Sequence, residues 1–391
     1  RQGAKWASVL FPALAFCTGW LLLRGQRVPF AALWTLSFVA VSEAFLYRMS
    51  MPRAQALSLL VLLLALHLTF TGRYRWLLPV GFLYVWLYNA FPLLLVVVGV
   101  YVAVRWLLER RLALAPLLYT AGGIGLGLVI NPYFPENLVF IYNHLGPKLV
   151  DATAVKVGNE WYPYRTWTLV ENSGPALLLL GTGVFALGLN SRKMNVTTAT
   201  TLVLTLVFGL MLLKSRRFVE YWPAFALLFA ALAGTPILRG WLRQRPLNQW
   251  LFPSLMLLIL LPAAWWTASG TQESLGNSKP YQQYAGASAW LSQNTPAGSR
   301  IFQTDWDDFT RLFFYNSRNT YTAGLDPTYM QLYDPDLFDL WVDITKGRLE
   351  YPAETIATTF DAGYVITDLK HKAFLKKAEA DPQLEEVFRD R

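Results

Sequence analysis

Between Trp6 and Ser269 the chain is a succession of long apolar runs parted by short basic turns. No other feature limits the fold as strongly. A helix needs about 20 apolar residues to cross a bilayer, and only helices or closed barrels satisfy their own backbone there. The runs are Trp6–Leu23, Val28–Leu46, Ala54–Phe70, Leu77–Tyr88, Ala90–Leu108, Leu112–Ile130, Pro175–Leu189, Thr197–Leu213, Phe218–Leu238 and Trp250–Ser269. The fourth and fifth part at Asn89-Ala-Phe-Pro92, because proline lacks a donor and clashes with the turn before it. Residues 1–269 therefore predict a polytopic α-helical membrane protein of about ten apolar helices. After Ser269 charge, Asn, Asp and Pro rise, and 270–391 reads as a separate soluble domain.

Composition agrees. Hydrophobic residues make up 54% of the chain and charged ones 15%, against about a quarter in soluble domains. The net charge of +9 would suggest nucleic acid in a soluble protein. Here the cations stand at the ends of apolar runs, so topology and headgroups account for them; membrane lipid is the expected partner and nucleic acid is not. The single cysteine, Cys17, excludes a disulfide within the chain. The Gly-Gly-Ile-Gly-Leu-Gly core at Gly122–Gly127 predicts close helix packing rather than a phosphate loop, since no lysine follows it.

One long loop, Asn131–Gly174, interrupts the membrane part, and within it Leu138, Ile141, Leu145 and Leu149 mark an amphipathic surface helix over Pro135–Val150. The tail alternates patterns: helix Tyr281–Ser292, strand Arg300–Thr304, helix Asp305–Asn316, strand Thr320–Ala323, helix over Pro327–Lys346, helix Pro352–Phe360, strand Tyr364–Thr367 and helix Lys370–Ala380. This alternation predicts a small C-terminal α/β layer, with a closing strand natural near Glu386–Phe388. The chain opens on Arg1 rather than Met, so the natural protein is expected to begin earlier, and because it stops just after Glu386–Phe388 its C-terminus is expected to be clipped as well.

Charge placement gives an orientation. With the tail outside, the inside loops Arg24–Arg27, Arg73–Arg75, Arg105–Arg111, Arg192–Lys193 and Arg239–Arg245 are all basic, opposed by Glu109 alone. Two basic clusters then fall outside, Arg48/Arg53 and Lys214/Arg216/Arg217, and blunt the contrast: either the orientation is reversed or they are retained for function. Arginine forks pair two phosphate oxygens and lysine adds a compact charge, so Lys214, Arg216 and Arg217 are the candidate phosphate holders, with Arg165 beside them. Ordinary flanking charge is the plain alternative. Glu43, near the end of its run, is either an acid of the site or an ion-pair partner of Arg48 or Arg53. The long loop adds Lys148, Lys156, Glu160, Arg165 and Glu171 among Trp161, Tyr162, Tyr164 and Trp167, a mixture that suits a sugar ring or an interfacial belt. His144, on the surface helix, faces either solvent or a substrate, and mid-run His67 reads as a packing residue. The three histidines have no zinc spacing.

Lys214-x-x-Arg217-Phe-x-x-Tyr221-Trp-Pro223 followed by small apolar residues resembles a late membrane stretch of GT-C glycosyltransferases, in particular the protein mannosyltransferase and lipid A aminoarabinose transferase branch. Arg53-Ala-Gln-Ala-Leu-Ser with Arg73–Arg75 after it resembles an early span of the same family. In the tail, Ala289-Trp-Leu-x-x-Asn294-Thr-Pro-x-Gly298 and Asp305-Trp306-Asp307-Asp308 are similar to the start of the soluble domain of oligosaccharyltransferase catalytic subunits. There a Trp-Trp-Asp-Tyr-Gly motif reads the acceptor; here the second Trp and the Tyr-Gly are missing, and Asp307 and Asp308 also suit helix capping.

The resemblance implies transfer of a sugar from a polyprenyl-phosphate donor to an external acceptor, with Lys214, Arg216, Arg217 and Arg165 on the donor phosphate. Tyr221, Trp161, Tyr162, Glu160, His144 and Asp307 would meet substrate. The family's principal carboxylate lies in its first external loop, expected upstream of Arg1, which leaves Glu43 as the nearest catalytic acid in this chain. A divalent cation is possible, since oligosaccharyltransferases use one and the mannosyltransferase branch generally does not. The implied setting is a bacterial or archaeal plasma membrane, with protein, lipid or glycan as acceptor. The alternative is a membrane lipid carrier or scaffold with an external binding domain, or an inactive form of the fold.

Overall fold

The computed structural model describes residues 2–151, 159–190, 194–245, 247–277 and 279–389; Lys156 and the Arg192–Lys193 loop lie outside them, as does the side chain of Lys148. The chain forms two compact units, Arg1–Asn143 with Glu160–Asn277, and His144–Asn159 with Ser278–Arg391.

The first unit is helical. Its helices are α1 (Gln2–Gly25), α2 (Ala31–Leu36), α3 (Glu43–Met49), α4 (Gln55–Phe70), α5 (Leu77–Leu87), α6 (Pro92–Glu109), α7 (Ala115–Val129), the start of α8 (Glu136–Asp151), α9 (Thr166–Leu189), α10 (Val196–Lys214), α11 (Trp222–Gln244) and α12 (Asn248–Gly276). Among the described residues six are long and apolar enough to cross a membrane: α1, α6, α9, α10, α11 and α12. Shorter apolar helices are α4 and α7. The protein is thus an integral membrane protein, with fewer full-length spans than the ten runs suggested.

Two differences have local causes. The expected span Val28–Leu46 is broken: after α2 and a 3-10 turn the chain extends at Ser42 (φ −169°, ψ 132°) and restarts as α3. The Ser42 hydroxyl accepts the Phe45 N–H at 3.2 Å, so the serine opens a helix instead of sitting inside one. The run Leu77–Tyr88 gives the 11-residue α5, the short helix expected before the Asn89–Pro92 break. The long loop ends early, because α9 begins at Thr166 and crosses a kink at Ser173, two residues before Pro175.

Helix α11 is the centre of this unit. Trp222 through Ala233 are all buried, and their small residues let neighbours approach on every side. By contrast α12 turns Leu258, Ile259, Leu261, Trp265 and Trp266 outward, each at least 65% exposed, an apolar surface suited to lipid. The glycine run of α7 packs against α5 as expected. A Cβ on Gly123 would lie 2.1 Å from the Leu78 carbonyl oxygen, whereas one on Gly122 would meet nothing within 4 Å.

The second unit is an α/β layer. It holds α13 (Ala285–Asn294), β1 (Arg300–Gln303), α14 (Phe309–Tyr315), β2 (Thr320–Tyr321), α15 (Thr328–Tyr333), α16 (Pro335–Thr345), α17 (Ala353–Thr359), β3 (Tyr364–Ile366) and α18 (Lys372–Ala380). The sheet order is β2-β1-β3 and both pairings are parallel, with Ile301 opposite Tyr321 and Tyr364. Parallel neighbours require the helical crossovers that the sequence supplies. Phe302, Phe338, Trp341, Ile356, Phe360 and Phe374 fill its core. Glu386–Phe388 is not a strand; Phe388 lies against Trp290, ring centroids 6.1 Å apart.

Candidate functional site

A short irregular stretch joins α10 to α11. Ser215 is extended (φ −146°, ψ 123°), and residues Arg216–Glu220 make a 3-10 turn before Pro223 starts α11 in its first turn, where a missing N–H costs nothing. The Ser215 hydroxyl accepts the Arg217 N–H at 3.4 Å and donates to the Glu160 carbonyl at 2.9 Å. Arg216 fastens the same loop: its backbone N–H and Nε reach the Tyr162 carbonyl at 3.0 and 3.2 Å, and its Nη2 the Pro163 carbonyl at 3.1 Å. Its guanidinium lies 5.1 Å from the Tyr164 ring centroid.

Arg217 points elsewhere. Its Nη2 donates to the Tyr88 hydroxyl, and its guanidinium lies 5.0 Å from the Trp161 ring centroid. Tyr88 stands where α5 ends, in extended backbone (φ −164°, ψ 138°) at the break before Pro92. Arg48, in the last turn of α3, reaches the same place. Its Nη1 is 2.6 Å from Glu160 Oε2 and 3.4 Å from Glu220 Oε1. Glu220 is fully buried, and its Oε2 has no hydrogen-bond partner among the described residues.

Two guanidiniums and two carboxylates thus share a space largely shut from water. Burial opposes the charge of Glu160, but Arg217 and Arg48 outweigh it and hold that carboxylate below its ordinary range. For Glu220 burial wins over the same two arginines and pushes the carboxyl up to about 7. Arg48 and Arg217 keep their charge despite burial: Glu220 and Glu160 raise Arg48, while Tyr88, Glu220 and Glu160 raise Arg217. The arrangement fixes two cations among their counter-charges, with Arg48 engaged by both carboxylates and Arg217 turned to the Tyr88 hydroxyl and the Trp161 ring.

Of the residues singled out in the sequence, Glu160, Trp161, Tyr162, Arg216 and Arg217 meet here. Lys214 and Arg165 are exposed at the edges, at the end of α10 and the start of α9, and Glu171 is exposed on α9. Tyr221 is 2% exposed and shares a 2.7 Å hydrogen bond with Ser58, so its side chain serves helix packing. Glu43 pairs with neither expected arginine. The Ser274 hydroxyl donates to its Oε1 at 3.2 Å, and its carboxylate fills the room beside Gly270, since α3 restarts the chain against α12. In the second unit His144 Nδ1 lies 3.7 Å from Asp326 Oδ2, and Asp307 is exposed. Asp305 caps the 3-10 turn by accepting the Asp307 N–H at 3.0 Å, while buried Asp308 takes Lys279 Nζ at 2.8 Å.

Glu220 and Tyr88 were not picked out in the sequence, and Arg48 only as part of the outside Arg48/Arg53 cluster and as a partner for Glu43. Glu220 had a signal, a lone acid inside the stretch that carries the cations. Tyr88 had another, its place at a helix break between apolar runs. Among the described residues no three His, Cys, Asp or Glu side chains converge on one point, and Glu160 and Glu220 both turn to Arg48, so this donor set does not fit a divalent cation.

No family model matches the sequence, and a search of curated proteins finds no match. Solved structures do match. The apo oligosaccharyltransferase of Archaeoglobus fulgidus superposes with a TM-score of 0.66 at 14% identity, over 97% of this chain and 60% of that one. Archaeal oligosaccharyltransferase AglB from Archaeoglobus fulgidus in complex with an inhibitory peptide and a dolichol-phosphate gives 0.65, with the same identity and coverage. The form tethered to an acceptor peptide containing the NVT sequon gives 0.60, again at 14% identity and the same coverage. The chain therefore spans 60% of the length of these proteins and shares the GT-C fold. They belong with the oligosaccharyltransferases that the tail residues resemble; the mannosyltransferase and aminoarabinose transferase likeness stays a reading of the sequence.

Proposed function

We propose that this protein is a glycosyltransferase that takes a sugar from a polyprenyl-phosphate-linked donor and passes it to an acceptor on the outer face of the membrane. The observation that carries this reading is Arg217, set between the Tyr88 hydroxyl and the Trp161 ring on a connecting turn. The hydrogen bond to Tyr88 engages one amino group, and the remaining donors of the fork serve the donor phosphate. Negative charge grows on that phosphate as the glycosidic bond breaks, so fixed cations stabilise the transition state more than the ground state. Arg216 holds the Glu160–Tyr164 loop through its carbonyls, and Lys214 and Arg165 add charge at the rim. The neighbour solved with a dolichol-phosphate supports a lipid-linked donor, and the one tethered to a peptide supports a peptide acceptor.

In the reaction the acceptor nucleophile bonds to the anomeric carbon, the bond from that carbon to the phosphate oxygen breaks, and the lipid phosphate leaves with the electron pair. A carboxylate takes the acceptor proton. Glu160, committed to Arg48, is poorly suited to this; Glu43, steadied by Ser274, is the candidate in this chain. The test is Arg217→Ala, with transfer from a synthetic polyprenyl-phosphate sugar measured beside donor binding. Loss of both is expected. Unchanged rate and affinity would overturn the proposal, and donor binding without transfer by the unaltered protein would favour a lipid carrier.

A further inference from the structure

The two ends of α11 differ. Its N-terminal end adjoins the arginine–carboxylate cluster. Its C-terminal end gathers with the basic loops: Arg239 Nη2 donates to the Arg27 carbonyl at 2.5 Å, and Gly25 sits against His67 near the end of α4. There an open cleft of about 400 Å³ is lined by Pro29, Phe30, Leu242, Gln249, Trp250 and Pro253. Its walls are mainly apolar, and Trp250 is 78% exposed. Arg24 and Arg243, in the last turns of α1 and α11, and Arg27 and Arg245, just past those helices, all stand exposed. The sequence places no acid between Arg1 and Ser42, or between Tyr221 and Gln272, so nothing on these segments offsets them.

The turn over the cleft is strained. Arg27 (φ 56°) and Phe30 (φ 54°) both adopt the left-handed conformation, which side chains other than glycine rarely take. Strain of this kind persists where surrounding structure over-determines it, and it gathers at ligand sites. Cations for orientation alone would need neither the strained turn nor an apolar recess beneath it.

We propose that this cleft binds an anionic phospholipid, its acyl chains along Phe30, Trp250 and Pro253 and its headgroup phosphate on Arg27, Arg243 and Arg245. The occupant must be amphiphilic because wall and rim differ in chemistry, and anionic because the rim is of one sign. The site is independent of the donor site at the other end of α11.

The test uses the full chain purified in neutral detergent and titrated with phosphatidylglycerol, phosphatidylcholine or inorganic phosphate, read by melting temperature and by native mass spectrometry. A saturable rise and a retained lipid are expected with phosphatidylglycerol alone. The double variant Arg243→Ala/Arg245→Ala should weaken that binding tenfold or more, and Trp250→Ala, which alters only an exposed wall, should weaken it as well. Arg73→Ala/Arg75→Ala, cations at the same end outside the cleft, should leave it unchanged. Equal effects of phosphatidylcholine or inorganic phosphate, full binding by the Arg243/Arg245 or Trp250 variant, or equal loss in the Arg73/Arg75 control would each overturn the proposal.

Discussion

Arg48 and Glu160 meet at 2.6 Å across 112 positions of sequence, joining a seven-residue helix to the loop before α9. The same guanidinium faces Glu220, whose side chain is wholly buried. Removing it leaves that acid without its nearer cation. Arg48→Ala should cost about 3–5 kcal/mol, the range for breaking one side of a buried pair. Glu160→Gln should cost under about 1 kcal/mol, because Glu160 is 30% exposed and solvent screens its share. Melting curves of the two variants in the same detergent check the order.

The two carboxylates should give stability opposite pH dependences. Glu160 titrates lower folded than unfolded, so its contribution is present above about pH 4.3 and is lost as pH falls through its depressed folded value. Glu220, raised to about 7 by burial, binds its proton more tightly when folded, so stability falls as pH rises from about 4.3 to 7. Glu160→Gln should flatten the acid limb and Glu220→Gln the neutral one. Thermal unfolding between pH 3 and 8 measures both, and a neutral limb unchanged in Glu220→Gln would refute the assignment.

Adjacent arginines should behave differently. Arg216→Ala removes the clamp on the Tyr162 and Pro163 carbonyls, so hydrogen exchange across 160–164 should rise while donor affinity falls only a few-fold. Arg217→Ala should do the reverse. If both substitutions alter the loop and the affinity alike, the division of labour is wrong.

Trp161→Ala takes the aromatic face from beside Arg217. A cation–π contact is worth about 0.5–2 kcal/mol, which corresponds to a loss of roughly two- to thirty-fold in affinity for a polyprenyl-phosphate probe. Trp161→Phe should restore most of it, as read by equilibrium binding.

In α7, Gly123→Ala must push α5 away, because the new Cβ would sit 2.1 Å from the Leu78 carbonyl oxygen. A cost of about 1–3 kcal/mol is expected. Gly122→Ala meets open space and should be neutral or gain up to about 1 kcal/mol. Comparing their melting temperatures separates packing from helix propensity.

Local rules made much of this legible. The apolar runs anticipated the long helices, because a span is set by its own length and composition. Alternating patterns anticipated β1, β2 and β3 to within a residue or two. Long-range polar contacts were harder. Glu43 and Arg48 are close in sequence and were natural partners, yet the restart at Ser42 sends Glu43 to Ser274 and Arg48 to Glu160 and Glu220. Tyr221 carried the right motif but faces Ser58, since nothing in a motif says which side of a turn faces its neighbours. Glu220 looked like one acid among cations; only packing shows that it is sealed.

The loop at Glu160–Pro163 docks on Ser215 and Arg216 through carbonyl oxygens of Glu160, Tyr162 and Pro163. Every residue type offers that oxygen. The joint therefore places little demand on which side chains occupy 162 and 163, and evolution can rewrite them while the arginine on the facing turn keeps its grip. A scaffold joined in this way can drift far in sequence and still superpose, and searches keyed to residue identity will pass over relatives that a comparison of backbones finds.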